Sequence, residues 1–434
     1  MSEADGRGDA PVSPGGPPGA HGADATDPYQ LQGELLVVAV EASADLHGAA
    51  VLRELKTLAP GLRAFGSAGP LMRAAGCEAL VRAESLGVMG FVEVLPAIPR
   101  LLRALSTLAR AARDRAPRAA LLIDSPDFNL RLARKLKRLG VPVAYFIGPS
   151  VWAWRTWRVK QIARDVMRML VILPFEAAFY ARHRVAAIYV GNPLADRRAL
   201  PAGPGASASG TIRTDRATLG ADAAARPRRK QALGLDPARP LLALLPGSRR
   251  QEIARLWRPL LEAARLLIAR DPMLQLVVPV APTLDQAPLR ATADRLQLSV
   301  TFLDGQAHEL LCASDAAIVA SGTATLEAAL ALCPLVVVYK TSWLTYWIAR
   351  LLVRVKFISL PNLLAARALV PELIQGQCTP ASIAAQAALL LNQSQQRTEM
   401  REALLTLRDQ VAPAGTPNVA RRVAEEIMAL LRAR

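Results

Sequence analysis

From Leu35 the chain reads LLVVAV, a continuous apolar run. It is followed by the small-residue stretch Glu41 to Asp45 and by LHGAAVLRELKTL, whose apolar positions keep a helical period until Pro60. That order predicts a buried strand, a turn and an amphipathic helix. The unit recurs: Ala119 to Ile123 precede SPDFN and a basic helical stretch to Leu139, and Val141 to Ile147 precede GPSVWAW. A second series opens at Leu241 with LLALLPGSRRQEIARLW and runs through LQLVVPVAP, AAIVASGTATLEAALAL and LVVVYKT. Strands alternating with helices dictate parallel sheets whose loops at the strand C-terminal ends carry function. The expected fold class is therefore α/β, with two Rossmann-like domains facing each other across a cleft.

The breaks in this pattern divide the chain. Residues 1–33, rich in Gly, Pro, Ala and Asp, have little to bury and read as a disordered tail. Residues 34–200 form the first domain. Residues 201–228, PAGPGASASGTIRTDRATLGADAAARPR, are low in apolar content, lack a period and read as a flexible insertion or linker. Residues 229–400 form the second domain, and 401–434 are C-terminal helices, the last one amphipathic from Pro417, expected to pack on the first domain or to exchange in a dimer.

Composition narrows the chemistry. The chain has 434 residues, too many for one ordinary core, and it is 52% apolar but only 5% aromatic, as Ala- and Leu-rich helices on aliphatic sheets would be. Its net charge of +17 draws it toward polyanions or anionic surfaces. No zinc-finger spacing, aromatic-rich strand motif or long basic helix supports nucleic acid as the partner. Cys77, Cys312, Cys333 and Cys378 are scattered without CxxC spacing, as reduced packing residues are, which implies a reducing, cytoplasmic compartment. His21, His47, His183 and His308 show no metal-ligand pairing, so no metal site and no cofactor are expected. The N-terminus is not a secretory signal and no apolar stretch is long enough to span a bilayer, so any membrane contact is peripheral.

Several loops carry candidate chemistry. In LPGSRRQE, Gly247, Ser248 and Arg249 lie between a buried strand and a helix, where free N–H groups and a guanidinium hold phosphate; a serine-capped turn uses the same residues. Ser321, Gly322 and Thr323 open another helix in the same way. Glu327, a turn later, suits ribose hydroxyls or simply the helix N-terminus. Two such loops without a GxGxxG suggest a uridine-type diphosphate more than a dinucleotide. IDSPDFN places Asp124, Asp127 and Asn129 at a strand end. A sugar hydroxyl attacking an anomeric carbon needs a base, for which Asp127 is the candidate and Asp124 its rival, an Asp-capped helix being the structural alternative. Ser43 and Asp45 occupy the matching turn after the first strand. Trp152, Trp154 and Trp157 gather with Arg155, Arg158 and Lys160, as suits lipid headgroups, a sugar phosphate or interdomain packing. Trp343 and Trp347 share one helical face and Arg350 and Arg354 another, an interfacial helix or an ordinary core helix with solvated arginines.

In order along the chain, EASADLHGA, GVMGFVEVLP, IDSPDFN, GPSVWAWR, LPFE, GNPLAD, LPGSRRQE, ASGTATLEAAL and SLPNLLAARALVPELIQ resemble the lipid-A-disaccharide synthase family. The family's Gly-Asp pair appears here as Ala44-Asp45, and the tail and the 201–228 stretch are unmatched. The resemblance implies a GT-B fold and transfer of 2,3-diacylglucosamine from its UDP form to 2,3-diacylglucosamine 1-phosphate (lipid X). The product would be a β-1',6-linked disaccharide, formed with inversion at the inner-membrane surface. It implies Asp127 as base for the acceptor 6-hydroxyl, and Arg249 with Ser321 to Thr323 as diphosphate contacts. Asn362, Glu372 and Gln375 become donor contacts, and Ser43, Asp45, Asp124, Asn129, Trp154, Arg155, Gly247, Ser248 and Glu327 complete the substrate-binding set. It further implies helix ends and arginine in place of a metal, and a homodimer exchanging C-terminal segments. A UDP-N-acetylglucosamine epimerase, a peptidoglycan-type transferase and a non-catalytic nucleotide-sugar or lipid-binding protein are the competing readings.

Overall fold

Seven strands, β1 (Gly33–Val38), β2 (Leu62–Ala68), β3 (Glu78–Arg82), β4 (Ala119–Ile123), β5 (Val143–Phe146), β6 (Arg168–Val171) and β7 (Ala187–Tyr189), form one parallel sheet in the order β3-β2-β1-β4-β5-β6-β7. Six more, β8 (Leu241–Leu245), β9 (Gln275–Val280), β10 (Val300–Asp304), β11 (Ala316–Ala320), β12 (Leu335–Tyr339) and β13 (Glu372–Ile374), form a second in the order β10-β9-β8-β11-β12-β13. The computed structural model describes residues 32–86, 94–154, 156–196, 216–281, 284–343, 346, 347, 350, 355–392, 395–412 and 418–433. Arg155, Arg354, residues 1–31 of the expected tail and residues 87–93 of the GVMGFVEVLP motif lie outside them.

The helices of the first domain are α1 (Ala42–Leu58), α2 (Pro70–Ala74), α3 (Val94–Arg115), α4 (Pro126–Arg138), α5 (Arg158–Asp165) and α6 (Pro174–Ala181). Those that follow are α7 (Arg216–Ala232), α8 (Arg250–Ile268), α9 (Ala287–Arg295), α10 (Ala307–Ala313), α11 (Thr323–Leu330), α12 (Leu360–Ala365), α13 (Pro380–Leu391), α14 (Gln395–Val411) and α15 (Val419–Arg432). Helices cover both faces of each sheet. The central strands β4, β8 and β11 are therefore buried at every position, which is why they appear in the sequence as unbroken apolar runs. In each sheet the strand order reverses beside the first strand, between β1 and β4 and between β8 and β11, and such a reversal opens a crevice at the strand C-terminal ends.

Two sequence expectations change. β1 starts at Gly33, inside the expected tail. From Arg216 the supposed flexible insertion is helical, while 201–215 lie outside the described residues. α7 lacks an apolar stripe because charge docks it. Asp222 pairs with Arg229, with Arg401 (2.7 Å) and more loosely with Arg226 (3.6 Å), and Lys230 reaches Asp315 at 2.8 Å. Arg226 and Arg397 complete the group on Asp315 at 3.5 and 3.0 Å.

The C-terminal segment divides between the domains. α14 packs on α11, α12 and α13 of the second domain, whereas α15 crosses back and lies along α1. There Val423, Ile427 and Leu431 are fully buried in the core of the first sheet. Polar ties hold the return: Tyr189 donates to the Val411 carbonyl (2.6 Å), Val419 N–H to Asp196 (2.8 Å), and Arg168 pairs with Glu426 (2.6 Å). Among the described residues no helix is long and apolar enough to cross a membrane.

Candidate active site

The crevices of the two sheets meet in one cleft of about 470 Å³. Ser43, His47, Asp124, Asp127, Trp154 and Glu176 line it from the first domain, and Thr323, Leu326 and Leu360 from the second.

On the first-domain side, β4 ends in a strained turn. Asp124 and Ser125 both take left-handed backbone angles (φ 51° and 44°), unusual for residues with a Cβ. The turn is braced from below: Asn129 donates to the Ile123 and Asp124 carbonyls (3.0 and 2.8 Å) and the Tyr145 hydroxyl to the Asp124 carbonyl (2.6 Å). Burial pushes the Asp124 carboxyl above its ordinary range. Asp127 stands in the first turn of α4 with its side chain 73% exposed and forms an ion pair with Arg158 at the start of α5. A mostly buried guanidinium thus holds a water-accessible carboxylate at the cleft wall.

On the second-domain side, β8 leads into α8 through Gly247, Ser248 and Arg249. Gly247 has φ +110°, and a Cβ there would lie 2.5 Å from a Glu252 carboxylate oxygen, so only glycine fits. Arg249 caps α8, donates to Glu252 at 3.0 Å and leaves its side chain 81% exposed. It also faces the first domain: burial and the Asp124 charge raise Glu41, and Arg249 opposes that rise. At the second loop Gly322 and Thr323 are exposed at the start of α11, and burial raises the Glu327 carboxyl. The Ser321 hydroxyl is hydrogen-bonded to the Ile358 carbonyl at 3.0 Å.

Other predicted residues have their polar atoms engaged within the protein. Asp45 is 2% exposed and accepts the N–H groups of Gly69, Leu71 and Met72 at 2.8 to 3.1 Å, tying α1 to the start of α2. Asn129 is fully buried under the Asp124 turn. Glu372 accepts from the N–H groups of Ile358 and Ser359, from the Ser359 hydroxyl and from Asn362. Asn362 in turn accepts the Leu369 and Val370 N–H groups. Gln375 bonds to both the N–H and the carbonyl of Thr341. None of these side chains lines the cleft, and Asn362, Glu372 and Gln375 shape loops of the second domain.

The cleft also holds residues that pattern reading did not single out. Burial lowers His47, whose ring packs edge-on to Phe146 at 6.2 Å. Asn192 is buried and bonds to the Ile172 carbonyl and the Leu194 N–H. Glu176 is 2% exposed, and burial raises its carboxyl to about 7 against the hydrogen bonds it accepts. Its only sequence signal is the acid of LPFE after a strand. Among the described residues no group of three or more His, Cys, Asp and Glu is placed to hold a metal ion.

Comparison with known proteins adds ancestry to this geometry. The family model described as Lipid-A-disaccharide synthetase matches residues 35–414. The lipid-A-disaccharide synthase of Anaeromyxobacter dehalogenans is 48% identical over 404 residues, 93% of this chain and 99% of that protein. Among solved structures, the UDP-GlcNAc 2-epimerase of Neisseria meningitidis bound to UDP-GlcNAc superposes with a TM-score of 0.58 at 14% identity, covering 92% of this chain and 100% of that one. A calicheamicin glycosyltransferase superposes at 0.54 and 17% identity, covering 93% and 99%. At such identities the structural likeness speaks for the fold alone, and the fold is GT-B.

Proposed function

Because the chain belongs to the lipid-A-disaccharide synthase family of glycosyltransferases, we propose that it transfers 2,3-diacylglucosamine from UDP-2,3-diacylglucosamine to lipid X, with inversion, giving the β-1',6-linked disaccharide 1-phosphate and UDP. The observation that carries this reading is the facing of Asp127 and Thr323 across one cleft, a carboxylate on one wall and a helix N-terminus on the other. In the step, the acceptor O6 bonds to the donor C1 as the C1–O bond to the diphosphate breaks. The O6 proton passes to Asp127, and the leaving charge goes to UDP. Amides at the starts of α8 and α11, with Arg249, meet that charge as it develops, a role that asks for no metal ion. Asp124, whose carboxyl burial raises, lines the same wall of the cleft and is the alternative base.

Both substrates carry fatty chains, so the enzyme works at the cytoplasmic face of the inner membrane. Trp343 and Trp347, 61% and 55% exposed, lie beside Arg350, whose guanidinium sits 5.7 Å from the Trp347 ring centre. This aromatic and basic pair, on a chain of net charge +17, is suited to anionic headgroups. Replacing both tryptophans by alanine is expected to abolish co-sedimentation with anionic vesicles, and unchanged binding would remove the assignment. A homodimer belongs to the same proposal and is read by analytical ultracentrifugation.

The deciding experiment mixes purified protein with UDP-2,3-diacylglucosamine and radiolabelled lipid X in EDTA. Labelled disaccharide is expected, with Asp127→Asn slower by ~100-fold or more. Product only with magnesium would overturn the metal-free step. Conversion of unacylated UDP-N-acetylglucosamine without an acceptor would move the assignment to an epimerase.

A further inference from the structure

The stretch between β5 and α5 delivers Trp154 to the cleft, yet its backbone has little regular structure of its own. It opens with Ile147 in a left-handed conformation (φ 61°). Gly148 follows, so tightly packed that a Cβ would lie 2.5 Å from the Met169 methyl and 3.3 Å from the Tyr180 hydroxyl. Two residues before Trp154, the Trp152 indole is gripped from α6. Its ring meets Phe175 edge-on at 4.9 Å, and its N–H donates to Glu176 at 3.1 Å. The other Glu176 oxygen accepts the N–H groups of Leu173 (3.0 Å) and Ile172 (3.3 Å), anchoring the carboxylate to the end of β6 and the start of α6. One buried side chain therefore joins two neighbouring loops at the strand C-terminal ends, and the same side chain lines the cleft with Asp127 and Trp154.

Building on the transferase reading above, we propose that Glu176 is a positioning residue for the transfer reaction, holding the 147–154 loop through Trp152 so that Trp154 closes the acceptor side of the cleft. An ionised carboxylate does this well, since it has acceptor capacity for all three donors. Glutamine has only one acceptor oxygen, and its NH₂ would confront an N–H group. Protonation weakens the same grip, and burial places that event near pH 7. The titratable groups around it are Tyr180 on α6 and Tyr189 on β7, both raised first by burial, with His47 and Asp124 lining the same cleft. The tyrosines stay neutral across this range, so they leave the titration to the carboxyl.

The test compares full-length wild type, Glu176→Gln and Trp152→Phe in the disaccharide assay from pH 5.5 to 8.5, with thermal unfolding as a control on folding. Both variants are expected to lose about 10- to 100-fold in kcat with the KM for the UDP-sugar unchanged, the loss that a small displacement of a substrate wall produces. The wild-type kcat should fall on the acid side of an ionisation near pH 7 that Glu176→Gln lacks. Independently of activity, the indole N–H resonance assigned through Trp152→Phe should shift with the same midpoint. If Glu176→Gln fails to fold, Trp152→Phe, which keeps an aromatic ring against Phe175, carries the comparison. Wild-type kcat and an unaltered pH profile in the folded variants would overturn the proposal, as would an indole resonance indifferent to pH. Absence of disaccharide from the wild type would instead sink the transferase reading, and the positioning role with it.

Discussion

Asp45 shows how a single side chain separates binding from building. Its motif position suggests substrate, but its carboxylate is closed in by three backbone N–H groups from the β2–α2 turn. Asp45→Ala is therefore expected to lower unfolding free energy by ~3 kcal/mol or more, because buried donors lose their acceptor. A variant of normal stability with a raised KM would show instead that Asp45 serves the ligand. At Gly247, alanine would need a strained backbone and a displaced Glu252, so Gly247→Ala is expected to weaken UDP binding at least several-fold, measured by calorimetry. Glu176 has a thermodynamic signature as well. Its folded-state pKa of about 7 exceeds the ordinary 4.5, so the folded chain keeps a proton that the unfolded chain releases. Between those values stability falls as pH rises. Glu176→Gln should flatten that part of the melting-temperature profile. The residues that the sequence made legible were those in small-residue turns after apolar runs. What it left ambiguous was direction: a short polar side chain in such a turn reads the same whether it faces the cleft, as Asp127 does, or the interior, as Asp45 and Asn129 do.

Elements held by apolar faces were legible, and one held by charge was not. β8 and α8 announce themselves as LLALL and a periodic helix, while α7 offers a stretch without an apolar period, interrupted by Gly220 and Pro227, whose partners Asp315 and Arg401 lie far along the chain. No local window contains that information. Burial and the neighbouring Arg226 pull Arg401 down to about 10, a sign of how closely the cations crowd. Burial pushes the Asp315 carboxyl up, but Lys230, the Leu241 N–H and Arg397 outweigh it and hold it below its ordinary value. Its contribution is thus present above the unfolded pKa and is lost as pH falls through the folded one. Asp315→Ala would leave buried cations uncompensated, which costs ~3–5 kcal/mol. Hydrogen exchange should then accelerate across residues 216–232, and unchanged protection there would show that α7 docks by other means.

At the scale of the whole molecule, α15 makes the first domain discontinuous. Its Val423, Ile427 and Leu431 fill the same core as Leu35 and Val37. Burying three aliphatic side chains of this size contributes at least ~5 kcal/mol, so a chain truncated after residue 412 is expected to lose the first domain's cooperative unfolding transition while keeping the second's. The two-sheet architecture was readable from the recurrence of strand and helix. For the last helix an amphipathic stripe says that a face is buried without saying against what, so the sequence leaves open both packing on the first domain, which the structure shows, and exchange in a dimer.

This threading has a temporal side. Strands β8 to β13 and the helices among them are supplied by one uninterrupted stretch, so the second domain can close as soon as it is synthesised. The first domain begins first but finishes last, since its core stays uncovered along α1 until residues 419–432 have left the ribosome. Nascent chains of this protein thus leave an apolar face open along α1 until their last helix is made, and for that interval the face is available to non-native contacts.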